Sequence, residues 1–221
     1  MRGGSVIDYA VLRLNMIEGQ MRPNRVTELA LVEALGQVPR ERFVPEPLRP
    51  TAYVDEDLPL GGGRFLTEPL VLARLIQAVR VKPGAKVLDI GCATGYGAAV
   101  LARLGARVVA LDGPDMAARA RANLAELVVK GVDVVSGPLR DGWRAGAPYD
   151  GIIIEGGVAR VPEALFEQLA PGGGIATVLT DEGVGRLVTF TKLGDGMARR
   201  DVCDAAIPAL AAFAPEPGFV F

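Results

Sequence analysis

The stretch Val87-Leu88-Asp89-Ile90-Gly91-Cys92-Ala93-Thr94-Gly95-Tyr96 places a glycine turn directly after a short apolar run. In an open parallel sheet the first strand-to-helix turn is the usual ligand cradle, because ligands sit at the carboxyl ends of the strands. Spacing decides which ligand. A dinucleotide fingerprint needs G-x-G-x-x-G and a phosphate loop needs Gly-Lys-Ser or Gly-Lys-Thr, and this turn has neither. Gly91, Ala93 and Gly95 fall two apart, the G-x-(G/A)-x-G spacing that suits S-adenosylmethionine. Asp112 ends the next apolar run, Val108 to Leu111, 21 positions beyond Gly91. A carboxylate at that point can accept both hydroxyls of a ribose. The candidate cofactor positions are therefore Asp89, Gly91, Cys92, Ala93, Gly95 and Asp112. Ala93 stands where a third glycine is expected; its methyl group overpacks the closest approach, at about 1–3 kcal/mol, and alanine suits the turn only with a negative φ.

The elements that must hold this turn follow from the apolar pattern. Short apolar runs at Lys86 to Ile90, Arg107 to Leu111, Val132 to Val135, Gly151 to Ile154 and Ile175 to Leu179 read as strands. Helical stretches near 96–104, 115–129 and 161–169 alternate with them. Strands apolar throughout, separated by helices, imply an α/β, Rossmann-like, mostly parallel central sheet covered on both faces. Leu187 to Lys192 and Ala198 to Ala205 alternate instead, and Gly194-Asp195-Gly196 between them predicts an antiparallel C-terminal hairpin. Residues 6–36 read as two short helices, the second capped by Thr27, and Thr67 is the expected N-cap of a helix ending before Pro83-Gly84. Between them, 38–63 is rich in proline and glycine, and a loop that long inside a domain implies a task. The whole is expected to be one domain of 221 residues, with 1–83 supplying the helices and loop and 84–221 the cofactor sheet and tail.

Composition excludes several classes. A net charge of −2 favours neither nucleic acid nor an anionic membrane as a general partner, and no apolar stretch approaches the roughly 20 residues that span a bilayer. The two cysteines, Cys92 and Cys203, form no C-x-x-C pair, so a zinc site and a disulfide framework are not expected and a cytoplasmic setting is. A monomer is expected. Histidine is absent, so the chemistry must proceed without imidazole.

With these residues in hand the chain resembles the protein-L-isoaspartate O-methyltransferase family. Val38-Pro39-Arg40-Glu41-Arg42-Phe43-Val44-Pro45 is similar to that family's Val-Pro-Arg-Glu-x-Phe-Val-Pro, and Ala52-Tyr53-Val54-Asp55 and Leu58-Pro59-Leu60-Gly61 to its next two motifs. Tyr149-Asp150, Val161-Pro162, Leu165, Gln168-Leu169 and Gly172-Gly173 continue the likeness. The resemblance implies S-adenosylmethionine as cofactor and isoaspartyl residues of damaged proteins or peptides as acceptors, with repair beginning at the methyl ester. It also accounts for the missing histidine: a carboxylate with a reference pKa near 4 is already ionised at neutral pH and needs no base. The family builds its acceptor pocket on Gln-Thr-Ile-Ser-x-Pro, here Arg64-Phe65-Leu66-Thr67-Glu68-Pro69. The resemblance thus assigns acceptor orientation to Thr67, while Arg64 departs from the pattern and either forks onto an acceptor carboxylate or faces water.

Further departures fall near the expected site. Where the family has Gly-Asp-Gly against the adenine, this chain has Gly137-Pro138-Leu139, leaving Leu139 as the candidate contact and Asp141 displaced. Where the family has Val-Thr-Ala-Ala, this chain has Ile154-Glu155-Gly156-Gly157. A carboxylate there either lies near the methyl donor, repelling an acceptor carboxylate or turning into a hydrogen-bonded corner, or, as is expected of Glu155, faces solvent or caps a turn. These departures keep two other readings open: transfer to a different peptide or small molecule, or a degenerate relative that no longer catalyses. The apolar ending 216–221 is expected to pack on the sheet or close over the acceptor side.

Overall fold

The computed structural model describes residues 7–180 and 184–214. Helices α1 (Tyr9–Met16) and α2 (Leu29–Gln37) come first, followed by two 3-10 turns and a small hairpin of β1 (Leu58–Gly61) and β2 (Arg64–Leu66). Then α3 (Pro69–Val79), β3 (Lys86–Ile90), α4 (Tyr96–Arg103), β4 (Arg107–Asp112), α5 (Pro114–Glu126) and β5 (Val132–Ser136) alternate. The chain continues through β6 (Tyr149–Val158), α6 (Glu163–Phe166), β7 (Leu169–Leu179), β8 (Arg186–Leu193) and β9 (Gly196–Asp204).

The large sheet has the order β5-β4-β3-β6-β7-β8-β9. Its first five strands are parallel, and β8 and β9 join antiparallel through the Gly194-Asp195 turn. The strand order reverses between β3 and β6, the switch point outside which α/β sheets hold ligands. Period-two alternation divides the core. Val87, Val108, Ala110 and Ile153 pack with the N-terminal helices, α3 and α4 on one face; Leu88, Ile90, Leu111, Ile152 and Ile154 pack with Leu139, Leu165, Leu210 and Phe213 on the other.

Three sequence expectations change. The helix expected over 161–169 is only Glu163–Phe166, because β7 already begins at Leu169. Thr27 does not cap α2: Glu28 holds that position without a side-chain bond, and the Thr27 N–H donates to the Gln77 side chain instead. Thr67 does not cap α3 either. Glu68 is the cap residue, and the N–H groups of Glu68 and Leu70, which have no partner within the helix, are met by the carboxylates of Asp57 and Asp55, reaching in from the 38–63 loop. That capping is one task of the long loop. The 216–221 ending lies outside the described residues.

Candidate functional site

The 91–95 turn is wound by left-handed residues at alternate positions: Gly91 has φ +73°, Ala93 +49° and Gly95 +94°. The negative φ expected of Ala93 is therefore not what the turn uses. An L-residue in this region costs about 1–2 kcal/mol, and the bonds around the turn hold it there. The Ala93 N–H donates to the Asp112 carboxylate at 2.8 Å, and the Gly91 N–H donates to the Leu111 carbonyl at 2.8 Å. The Thr94 hydroxyl donates to the Phe43 carbonyl at 2.6 Å, and the Asn123 amide donates to the Thr94 carbonyl at 3.0 Å. The last but one of these ties the turn to the octet at 38–45.

Asp112 is buried at the carboxyl end of β4, beside the turn, as its spacing implied. One of its oxygens receives the Gly113 N–H at 2.8 Å; the other receives Ala93 and, at 2.7 Å, the Arg64 guanidinium. Arg64 also donates to the Gly91 carbonyl at 3.0 Å. Arg64 is thus no loop arginine in water; it lies across the glycine turn. Cys92 turns its side chain into the core, where burial pushes the thiol well above its usual range, so only its backbone borders the turn. Leu139 is buried in a 3-10 turn after β5 and shares an apolar cluster with Leu111, whereas Asp141 is exposed.

Glu155 is not in solvent either. The β register brings Asp89 and Glu155 to the same face of adjacent strands, against the first turn of α4: a side-chain carbon on Gly97 would fall 1.7 Å from a Glu155 oxygen. All four carboxyl oxygens of the pair are buried with no hydrogen-bond partner of ordinary geometry. Burial, and then the charge of Glu155, pushes Asp89 well above the carboxylate range. Burial pushes Glu155 up to about 7, against the pull of Asp89, Arg40 and Arg64. Between them the pair keeps a proton at neutral pH.

This carries a pH signature. The folded state holds a proton that the unfolded chain releases near 4.5, so the stabilisation is complete below that pH and lost as pH rises through about 7. Stability is expected to fall across this window. Glu155→Gln, unable to ionise, is expected to flatten the slope and to exceed the unaltered chain at pH 8 by on the order of 2 kcal/mol. Chemical denaturation from pH 5 to 8 checks this; an unchanged slope would contradict it.

The residue most underrated by sequence reasoning is Arg40. It is wholly buried, donates to the Ala52 carbonyl at 2.7 Å and the Thr67 carbonyl at 2.8 Å, and lies over the Tyr96 ring at 4.8 Å. Its place in the octet was the only available signal. It stitches the 38–63 loop to the link between β2 and α3 that carries Thr67, a buried residue that lines a small cleft with Arg64, Phe65, Glu155, Gly156 and Leu210. The segment after β9 closes that cleft. The Gly157 N–H donates to the Pro208 carbonyl and the Leu210 N–H to the Gly157 carbonyl, both at 2.9 Å, and a side chain on Gly156 would strike Leu210 at 2.4 Å. Nothing in the sequence marked Leu210. A larger cleft between α3, β6 and β7, lined by Ala85, Asp150 and Gly172, opens at the amino ends of the strands, the wrong end for nucleotide chemistry. Among the described residues no cluster of histidine, cysteine and carboxylates could hold a metal ion, and no helix is long and apolar enough to cross a membrane.

The residues fit an adenosyl cofactor: three alternating left-handed residues form a cradle, Asp112 offers a carboxylate at the ribose position, and unpartnered carboxyl oxygens lie beneath. A seven-stranded sheet of this order with that turn at its switch point defines an S-adenosylmethionine-dependent methyltransferase of the Rossmann-like class. A solved protein-L-isoaspartate O-methyltransferase superposes with TM-score 0.78 at 23% identity, covering 92% of this chain and 66% of its own. Another, from Plasmodium falciparum and in complex with S-adenosyl-L-homocysteine, gives 0.79 at 18% identity, covering 94% and 100%. The model of the protein-L-isoaspartate(D-aspartate) O-methyltransferase family matches residues 13–207, and the chain belongs to that family. The protein-L-isoaspartate O-methyltransferase of Gloeobacter violaceus is 39% identical over 187 residues, 84% of this chain and 91% of that one. Protein-L-isoaspartate O-methyltransferase 1 of Rhodopseudomonas palustris is 36% identical over 218 residues, 95% and 89%.

Proposed function

We propose that this chain transfers the methyl group of S-adenosylmethionine to the free carboxylate of L-isoaspartyl residues in damaged proteins or peptides, as the first step of their repair. The observation that carries the reading is the alternating left-handed turn at 91–95 with Asp112 bonded to its centre. Gly91, Ala93 and Gly95 give close backbone approach, Asp112 takes the ribose hydroxyls, Asp89 and the Cys92 backbone border the amino-acid end, and Leu139 lies on the adenine side. When bound, the cofactor supplies an electrophilic methyl group on a sulfonium. What remains for the protein is position. Thr67 orients the acceptor carboxylate, and Leu210 and Phe65 keep water out, so that an oxygen already charged at neutral pH stands about 3–3.5 Å from the methyl carbon and in line with it. No proton has to be removed, which suits a chain without histidine. We place the enzyme in the cytoplasm as a monomer, with no nucleic acid or membrane partner.

Labelled cofactor and an isoaspartyl peptide test this directly. A base-labile methyl ester is expected on the isoaspartyl peptide and not on its normal aspartyl counterpart; no ester on either would contradict the reading. Thr67 gives a finer test. Thr67→Val, which keeps the shape and loses the hydroxyl, is expected to lower kcat/KM about 10- to 100-fold, as loss of one hydrogen bond to a charged group does, while Thr67→Ser stays near the unaltered value. Equal losses in both variants would remove the hydroxyl from the mechanism.

A further inference from the structure

Arg64 holds the two acceptors that an incoming S-adenosylmethionine needs. Its Nη2 donates to the Gly91 carbonyl at 3.0 Å and to Asp112 at 2.7 Å. An ammonium seeks a carbonyl such as the first, and ribose hydroxyls seek a carboxylate such as the second. A cation thus stands in for the cofactor. Three further observations bear on how firmly Arg64 is held there. First, the Arg64 Nε is buried without a partner, so one arm of the fork that grips a carboxylate through two parallel bonds is unspent, and the other, Nη2, is the one held on Asp112. Second, the cleft Arg64 shares with Thr67, Glu155 and Leu210 has room for about one water, about 10 Å³, and no acceptor side chain could enter it as it stands. Third, Arg64 follows Gly61-Gly62-Gly63, with φ of +88°, +60° and +72° and nothing within 4 Å of where side chains would be. These glycines turn a two-stranded hairpin that is separate from the main sheet, so the arm carrying Arg64 can swing without breaking it.

Resting on the methyltransferase reading above, we propose that Arg64 is the receptor for the acceptor carboxylate and is latched on Asp112 until the cofactor displaces it. The cofactor's ammonium takes the Gly91 carbonyl and its ribose hydroxyls take Asp112, groups that S-adenosylhomocysteine carries as well, so either ligand displaces Arg64 from both acceptors and leaves the guanidinium unpaired beside Thr67. The freed guanidinium then draws an anionic acceptor into the opened cleft. The cofactor therefore binds first, and each ligand tightens the other by the same factor.

The test is equilibrium binding of S-adenosylhomocysteine by calorimetry, and of an L-isoaspartyl peptide by fluorescence anisotropy with and without saturating S-adenosylhomocysteine. In the unaltered chain, S-adenosylhomocysteine is expected to tighten peptide binding about tenfold. In Arg64→Gln, S-adenosylhomocysteine is expected to bind several-fold tighter because its competitor is gone, and peptide to bind weakly and equally with or without it. Arg64→Lys, which keeps the charge without the fork, should retain part of the coupling. Weaker S-adenosylhomocysteine binding in Arg64→Gln, or coupling as large as in the unaltered chain, would overturn the latch while leaving the methyltransferase reading standing. Failure of the unaltered chain to bind S-adenosylhomocysteine at all would overturn both.

Discussion

Replacing Asp112 with asparagine is expected to weaken S-adenosylhomocysteine binding about 10- to 100-fold and to lower stability as well. Three donors converge on this carboxylate: the backbone N–H groups of Ala93 and Gly113 and the Arg64 guanidinium. An amide has one acceptor oxygen, so at least one donor would face an NH2 group. Where that donor is the largely buried guanidinium, breaking the pair costs about 3–5 kcal/mol. Cofactor binding also loses a charged acceptor, about 1.5–3 kcal/mol, which gives the fold-change stated. The double variant Asp112→Asn/Arg64→Gln separates the two effects. It is expected to recover stability, since no cation is left unpaired, and to stay well short of the unaltered chain's affinity, since the several-fold gain from losing Arg64 does not replace the charged acceptor. Calorimetric titration with thermal melts reads both; affinity regained in the double variant would assign Asp112 a structural role only.

Arg40→Met is the second large effect. Methionine fills similar space, yet it leaves the Ala52 and Thr67 carbonyls buried without their donor, each at about 1–3 kcal/mol, and removes a desolvated cation over the Tyr96 ring. Relief of the guanidinium's own burial, which already lowers its pKa, offsets part of this. A net loss of about 2–4 kcal/mol is expected, or a Tm lower by roughly 5–15 °C for a chain of this size. Because Arg40 holds the Thr67 backbone in the link between β2 and α3, KM for the peptide should rise more than kcat falls. Lysine at 40 keeps the charge but cannot span both carbonyls, and should fall between. A Tm within 1–2 °C of the unaltered chain in Arg40→Met would contradict its role as the stitch.

What could be seen in the sequence is what short-range pattern decides. Strands β3, β4 and β5 are apolar runs bounded by turn residues, and the Gly91 turn and Asp112 sit at the strand ends where spacing put them. The burial of long charged side chains could not be seen, because it is decided by residues far along the chain. Arg64 meets Asp112 across 48 positions, and Arg40 meets Thr67 across 27. Glu155 read as a surface carboxylate, yet the β3–β6 register sets it beside Asp89 under α4. Thr67 had the local look of an N-cap, and Asp55 and Asp57 took that work from a distance. Even Ala93 misled for a physical reason. Its φ of +49° is disfavoured locally, and the long-range bond to Asp112 helps to hold it.

Three of the four departures from the family pattern, Ala93, Arg64 and Glu155, therefore form one arrangement; Pro138 stands outside it. Ala93 leans on Asp112, Asp112 on Arg64, and Glu155 balances Arg40 and Arg64 from below. On the latch proposed above, the turn is a formed cofactor site that is held shut, not a worn one. Calorimetric titration of the unaltered chain with S-adenosylhomocysteine tests that most directly. One site per chain with a Kd in the micromolar range, about −8 kcal/mol, is the result expected. No heat of binding up to millimolar ligand would contradict it.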